Sequence, residues 1–148
     1  MQLLLVDDEK RFLSTTSKIL TQRGLKVFTA TSGAVALEIL MKEDIHVVVL
    51  DVKMPGMDGM ATLSEIKCRT PLVEVIMLTG HGTIESAVEG LKSGATDYLT
   101  KPIGIEVLIA KAKEAYVKHC RLEEKILMAQ SIYERRKAIY MKSPKAVL

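Results

Sequence analysis

The chain has 148 residues, of which 48% are apolar and 26% charged, with 21 Lys and Arg against 18 Asp and Glu. This apolar fraction excludes a disordered chain, and 9 Gly and 4 Pro are too few for a fibrous or low-complexity protein. No apolar run approaches the roughly 20 residues of a membrane helix, and the first residues lack a signal-peptide pattern, so we expect a cytoplasmic protein that does not bind a membrane.

Apolar periodicity divides the chain into strand–helix pairs. In chain order it predicts a strand over Leu3–Val6, a helix stopped by Gly24, a strand over Leu25–Ala30, a helix capped by Ser32, a strand over Val47–Leu50, a turn-rich segment over 54–59, a helix to about Arg69, a strand over Val73–Leu78, a helix from about Ile84 to Lys92, a strand over Thr96–Leu99 and a helix over 104–142. Strands that alternate with helices are typical of a parallel sheet covered on both faces. We therefore predict an α/β fold with a doubly wound, five-stranded parallel sheet and an extended C-terminal helix.

Polar residues stand where the predicted strands end. Asp7 and Asp8 follow the first strand, Asp51 the third, Thr79 the fourth and Lys101 the fifth. Sites in this fold class lie at the carboxyl edge of the sheet, so these side chains are expected to meet there. Converging carboxylates repel one another, and Mg²⁺, which binds oxygen ligands, removes that conflict. A carboxylate can also accept a phosphoryl group whose oxygens a lysine binds, so the residues predict a Mg²⁺-dependent phosphoryl site.

Five segments carry a recognisable family pattern, in order and at the family's spacing. They are Leu4–Glu9, Val49–Gly59, Met77–Gly80, Gly94–Leu99 and Lys101–Pro102. Over roughly residues 1–120 the chain resembles the receiver domain of two-component response regulators. The stretch from His81 to Ile103 is most similar to receivers of the sigma-54-dependent, nitrogen-regulator type. The resemblance implies a flavodoxin-like sheet with strand order 2-1-3-4-5 and helices on both faces.

The same resemblance implies the chemistry of the acidic residues. Asp51 resembles the phospho-acceptor that takes a phosphoryl group from the phospho-His of a sensor histidine kinase. Mg²⁺ is the implied cofactor, bound directly by Asp8, through water by Asp7, and by Asp51 and the backbone carbonyl of Lys53. A receiver of this kind catalyses only its own phosphorylation and dephosphorylation, so we expect a signalling protein in a phosphorelay rather than an enzyme acting on other substrates.

The resemblance also implies a conformational switch. Lys101 and Thr79 would hold phosphoryl oxygens, Tyr98 would change rotamer when Thr79 moves, and the bond before Pro102 would be cis. The fourth helix, fifth strand and fifth helix would then present a changed surface that controls dimerisation, an output domain or a partner. Tyr98 also fits a fixed strand aromatic. Lys53 and His81 flank the site, either tuning the lifetime of the aspartyl phosphate or lying in solvent.

Two other functions compete with the signalling interpretation. A Mg²⁺-dependent phosphatase of the haloacid-dehalogenase type also uses an Asp nucleophile, but it needs a second Asp two residues later, where this chain has Lys53. A receiver-like scaffold would dimerise without ever accepting phosphate. The presence together of Asp8, Asp51, Thr79 and Lys101 argues against the scaffold.

The carboxyl-terminal segment differs from the rest of the chain in charge. Residues 111–148 contain ten basic and four acidic side chains, whereas residues 1–110 contain 11 and 14. We divide the chain into a receiver domain over 1–120 and a helical extension over 121–148. A 3-4 spacing of partly apolar residues indicates a weak coiled coil, through Ala115, His119, Leu122, Ile126, Ala129, Tyr133, Arg136 and Tyr140. A dimerising stalk and a partly frayed basic helix both fit.

Two further expectations concern partners and cysteines. The tail's charge permits nucleic-acid or membrane-surface binding, but no DNA-binding motif accompanies it, so we expect neither. Regulators of the sigma-54-dependent class normally continue into ATPase and DNA-binding domains, for which this chain has neither a Walker-type loop nor room. We therefore expect a stand-alone receiver or a fragment. Cys68 and Cys120 fit no metal spacing and should stay reduced.

Overall fold

A computed structural model of the protein describes residues 1–52, 58–80 and 82–142. Strands and helices alternate along the chain as the periodicity predicts. They are β1 (Gln2–Val6), α1 (Lys10–Gln22), β2 (Lys26–Ala30), α2 (Gly33–Lys42), β3 (Val47–Leu50), α3 (Gly59–Arg69), β4 (Glu74–Thr79), α4 (Ile84–Lys92), β5 (Asp97–Thr100) and α5 (Ile105–Lys142). The predicted strand bounds hold to within one residue; β4, for example, ends at Thr79 rather than at Leu78.

The sheet is fully parallel and has the order β2-β1-β3-β4-β5, which confirms the predicted fold class and strand order. β3 lies at the centre, with Val47 opposite both Leu3 and Glu74. All four residues of β3 are buried, as a strand covered on both faces requires. This order brings the carboxyl ends of β1, β3, β4 and β5 next to one another at one edge.

Each face of the sheet has its own apolar layer, because side chains alternate along a strand. One layer contains Leu4, Val48 and Met77, packed with residues of α2 and α3. The other contains Leu3, Val49 and Ile76, packed with residues of α1 and α5. Helices therefore cover both faces.

The helix starts follow local side-chain chemistry. Ser32 caps α2 by accepting a hydrogen bond from the Val35 N–H, as predicted. The 3-4 spacing of Val35, Ala36, Ile39 and Leu40 predicts the apolar face of this helix, and that prediction is partly wrong, because Val35 is 38% exposed while Leu37 is buried. A capping side chain sets where the helix begins, and the packing against α3 then decides which of its apolar residues face inward.

The first turns of α5 pack on the sheet, and two polar contacts fasten the helix at its last buried turn. The buried residues are Leu108, Ile109, Ala112, Ala115 and His119. His119 Nδ1 donates to the Leu72 carbonyl at 2.6 Å, and Lys118 Nζ lies 3.5 Å from a carboxylate oxygen of buried Glu74. Ala115 thus packs on the body of the protein as its place in the first turns predicts, whereas the coiled-coil register is wrong at His119, which is also buried.

Beyond His119 the helix continues with nearly every residue exposed. Leu122 is half-buried, and Ile126, Tyr133 and Tyr140 are 43%, 62% and 59% exposed. Among the described residues, no helix is both long enough and apolar enough to cross a membrane. Cys68 and Cys120 are free thiols, as expected.

Candidate functional site

Backbone hydrogen bonds extend past the strands and place the polar residues at the sheet edge. The Asp51 N–H donates to the Val6 carbonyl at 3.0 Å, which sets Asp51 beside Asp7. The Lys101 N–H donates to the Thr79 carbonyl at 2.9 Å, which sets Lys101 beside Thr79. The predicted convergence of Asp7, Asp51, Thr79 and Lys101 is thus built by the pairing of β1 with β3 and of β4 with β5.

The three aspartates form a compact group. One ligand oxygen from each of Asp7, Asp8 and Asp51 lies within 4.8 Å of the other two. Asp7 and Asp51 are buried, at 1% and 4% exposure, whereas Asp8 is exposed. The group therefore has two carboxylates fixed in the protein and one that opens to solvent, a set of hard oxygen donors that suits a divalent cation such as Mg²⁺.

Lys101 supplies the positive charge of the site. Its Nζ lies 2.5 Å from Asp7 Oδ2 and 3.5 Å from Glu9 Oε1. Burial opposes the charged form of Lys101, but the hydrogen bond and charge of Asp7, with Asp51 and Glu9 nearby, raise the pKa of Lys101 above its ordinary value. Lys101 therefore stays protonated and faces the carboxylates.

At Asp7, the effect of burial on the pKa is greater than that of the favourable contacts. Burial raises the pKa of Asp7 above its ordinary 3.8, and the charge of Asp51 adds to the rise, although Lys101 and the Glu9 N–H oppose it. The Glu9 N–H donates to Asp7 Oδ1 at 2.9 Å and fixes the carboxylate's orientation. A cation bound beside Asp7 would therefore stabilise its ionised carboxylate.

The sequence does not predict two contacts of Lys101. The ammonium lies 4.1 Å from the centroid of the Phe12 ring, and Glu9 approaches it from the same side. The sequence places Phe12 on the apolar face of α1 and Glu9 in the acidic run after β1, but nothing in either pattern points to a lysine some 90 positions away.

Thr79 and Tyr98 lie on adjacent strands. Thr79 is fully buried at the end of β4, and Tyr98 is half-buried in β5, opposite Met77. The Tyr98 ring packs beside α4, where a Cβ at Gly82 would come within 3.1 Å of it and a Cβ at Gly90 within 3.6 Å. Its hydroxyl is 2.7 Å from Ser86 Oγ in the first turn of α4. Sequence reasoning missed Ser86, which joins Tyr98 to this helix.

The start of α3 shapes the loop around Asp51. Asp58 Oδ1 accepts from the Ala61 N–H at 2.8 Å and caps the helix. A Cβ at Gly59 would lie 2.3 Å from the Asp51 carbonyl oxygen, so only glycine allows this approach. The Asp58-Gly59 pair in the turn-rich segment predicts residues that shape the loop beside the site, and these two contacts agree with that structural role.

Two residues singled out from the sequence lie outside the described residues. They are Lys53, expected to offer its carbonyl to the cation, and His81, expected to flank the site. The peptide bond between Lys101 and Pro102 is cis, as the resemblance implies.

The chain belongs to the response regulator receiver domain family, whose model matches residues 3–113. Receiver domains are signalling phospho-acceptors. Fold, strand order and the sheet-edge site all agree with this assignment.

Several known proteins are similar to this chain. The transcriptional regulatory protein ZraR of Escherichia coli is 39% identical over 115 residues, which are 78% of this chain and 26% of ZraR. The receiver domain of NtrX from Brucella abortus is 36% identical, with a TM-score of 0.73 over 77% of this chain and 97% of that domain. The solution structure of the beryllofluoride-activated NtrC4 receiver domain dimer is 36% identical, with a TM-score of 0.75 over 80% of this chain and 98% of that one.

These similarities confirm the resemblance to receivers of the sigma-54-dependent, nitrogen-regulator type. The chain spans about a quarter of the length of the curated relatives it matches.

Proposed function

We propose that the protein accepts a phosphoryl group on Asp51 from the phospho-His of a sensor histidine kinase in the cytoplasm. In that transfer the bond between phosphorus and imidazole nitrogen breaks, its electron pair stays on the histidine, and a bond forms from an Asp51 oxygen to phosphorus. The observation that carries the proposal is the group of three carboxylates within 4.8 Å, with the Lys101 ammonium beside them.

Mg²⁺ is the cofactor we assign to this site, since the donor set is all oxygen and two of its members are buried. Bound there, Mg²⁺ would neutralise charge on the phosphoryl oxygens. Asp8 and Asp51 are the proposed direct ligands, Asp7 the ligand through water, and the Lys53 carbonyl the remaining protein ligand. The raised pKa of Asp7 supports this assignment because a cation stabilises the ionised carboxylate.

Lys101 and Thr79 are the groups we assign to the phosphoryl oxygens. Lys101 would move from Asp7 toward the new anion, which carries about −1.5 to −2 charges and three acceptor oxygens. Thr79 would donate its hydroxyl, and Tyr98 would exchange its contact with Ser86 for a new rotamer. Since Tyr98 and Ser86 join β5 to α4, the change would reach the surface formed by α4, β5 and α5. That surface would control dimerisation, an output domain or a partner.

The test is the mass of the intact protein after incubation with acetyl phosphate, with and without Mg²⁺. We expect one added phosphoryl group that requires Mg²⁺ and is absent in Asp51→Asn. Asp58→Asn is the matched control, because Asp58 caps α3 and is an aspartate outside the group of three. Failure of the wild-type protein to gain the group while it binds Mg²⁺ would refute phosphoryl acceptance and favour a scaffold that acts by dimerisation alone.

We also propose that residues 1–120 act as the receiver and residues 121–148 as a stalk that pairs with a second copy. The last buried residue of α5, His119, supports this division. Exposed apolar residues at 3-4 spacing, Ile126 and Tyr133 among them, support the pairing. Light scattering tests it. Ile126→Lys should give monomers, whereas Leu127→Lys, one residue off the register, should leave the dimer intact. Equal masses for both variants would refute the stalk.

A further inference from the structure

The Lys101 ammonium is enclosed on one side by residues of the β1–α1 segment. Its Nζ lies 4.1 Å from the Phe12 ring centroid and forms ion pairs with Asp7 and Glu9. The lysine side chain is 16% exposed. An ammonium over an aromatic face is attracted by the ring quadrupole, and the attraction is greater where water is partly excluded.

The Phe12 ring also contacts the apolar core beneath it. It is half-buried and packs against the apolar layer that contains Leu3, Leu5 and Leu108. Glu9 is the N-cap residue of α1, three residues before Phe12, and its carboxylate lies 3.5 Å from the Lys101 ammonium. The start of α1 therefore presents an aromatic ring and a carboxylate to the same ammonium.

We propose that Phe12 is a positioning residue for phosphoryl transfer, acting through Lys101. The ring restricts where the ammonium can lie and keeps it beside the carboxylates. It holds the ammonium less strongly than a second buried carboxylate would. Lys101 can then leave Asp7 for a phosphoryl oxygen without breaking a further ion pair at the ring. The role depends on the phosphoryl acceptance proposed above.

This proposal predicts a specific kinetic effect. Loss of the ring should lower the rate of phosphoryl gain at saturating acetyl phosphate about three- to tenfold, because a less confined ammonium reaches the transition state less often. The acetyl phosphate concentration that gives half the maximal rate should change little, since Phe12 is not among the residues proposed above to bind the phosphoryl group. Phe12→Leu and Phe12→Met remove the ring but keep apolar volume, whereas Phe12→Tyr keeps the aromatic face.

A second measurement reports the contact without any reaction. In proton NMR spectra, a ring current shifts the Lys101 ε-methylene protons upfield when they lie over the Phe12 face. We expect this shift in the wild type and in Phe12→Tyr, and its loss in both Phe12→Leu and Phe12→Met. Circular dichroism and the unfolding midpoint check that each variant is folded, and agreement between the two ring-free variants separates loss of the face from loss of packing.

The rate and the NMR shift together can support or refute the positioning role of Phe12. A normal rate of phosphoryl gain in a folded Phe12→Leu variant would overturn the positioning role, as would Lys101 methylene shifts that are the same with and without the ring. If the wild type gains no phosphoryl group but shows the ring-current shift, the proposed function fails while the contact stands, and the positioning role falls with that function. A slowed rate in both ring-free variants, restored in Phe12→Tyr, establishes the role.

Discussion

The Lys101 ammonium lies 2.5 Å from the carboxylate of Asp7, and this ion pair joins the end of β5 to the end of β1 across the site. The Asp7 carboxylate is buried, so this ammonium neutralises a charge that water does not reach. Removing it should therefore affect the folded state as well as the chemistry.

We predict that Lys101→Met lowers the free energy of unfolding by about 1–3 kcal/mol in magnesium-free buffer, since it removes the ammonium that pairs with the buried Asp7 carboxylate and leaves Asp7 Oδ2 without that hydrogen bond. Saturating Mg²⁺ should restore part of this loss, because a cation near Asp7 replaces the ammonium. Urea denaturation with and without Mg²⁺ measures both effects. Lys101→Arg is the matched control because it keeps the charge. Unchanged stability of the Met variant without Mg²⁺ would contradict the prediction.

The raised pKa of Asp7 predicts that Mg²⁺ binding releases protons. As the pH falls toward this pKa, Asp7 gains its proton and Mg²⁺ affinity should drop, starting at a higher pH than an aspartate of pKa 3.8 would give. Calorimetric titrations in two buffers of different ionisation enthalpy count the released protons. Asp7→Asn should release fewer, and equal release by the two proteins would exclude Asp7 as the source.

The same pKa has a consequence for folding. Native Asp7 keeps its proton to higher pH than unfolded Asp7, so it favours the folded state at low pH. This stabilisation is lost as the pH rises from the pKa of Asp7 in the unfolded chain through its higher pKa in the native protein. The unfolding free energy of Asp7→Asn should lack this component when measured across the same pH range.

The contact between Tyr98 and Ser86 predicts coupling between β5 and α4. A double-mutant cycle of Tyr98→Phe and Ser86→Ala should give an interaction energy of about 0.5–1.5 kcal/mol. The cycle is needed because Ser86 also belongs to the capping box of α4, so Ser86→Ala alone removes two interactions. Tyr98→Phe should also speed amide exchange in α4 relative to α3. An additive cycle would show that the hydroxyl contact does not stabilise the fold.

His119 predicts how firmly α5 is attached. His119→Ala removes the donor to the Leu72 carbonyl and leaves a small cavity, so it should cost about 2 kcal/mol and speed amide exchange in the last buried turns of α5. Glu123→Gln is the control, because the pair between His119 and Glu123 is partly exposed and its loss should cost less than about 0.5 kcal/mol. Equal losses in the two variants would contradict the dominant role of the Leu72 contact.

The parts of the structure that could be predicted from the sequence are those set by local pattern. Alternating periods predict the five strands, and the position of Asp7, Asp51, Thr79 and Lys101 just after or at the ends of strands predicts their meeting, since parallel strands share one carboxyl edge. The strand that each of these four residues ends or follows can be predicted without knowledge of side-chain packing. The observed group of three aspartates agrees with this reasoning.

The contacts that could not be predicted depend on tertiary packing between distant segments. Phe12 has the same apolar spacing whether its ring covers a lysine or only other apolar residues, so its role beside Lys101 leaves no trace in the sequence. His119 occupies a position of the stalk register, yet it is buried because α5 meets the loop before β4 at that turn. Val35 is exposed where its spacing predicted burial, because α2 packs through Leu37.

The long helix α5 is held to the body of the protein at the turn that contains Lys118 and His119. Residues 120–142 extend past this turn, and these 23 residues span about 35 Å at roughly 1.5 Å per residue. A tilt of about 10° at this turn would displace the end of the helix by about 6 Å. In the stalk dimer proposed above, a tilt too small to separate α5 from the sheet would therefore change the distance between the two helices at their far ends.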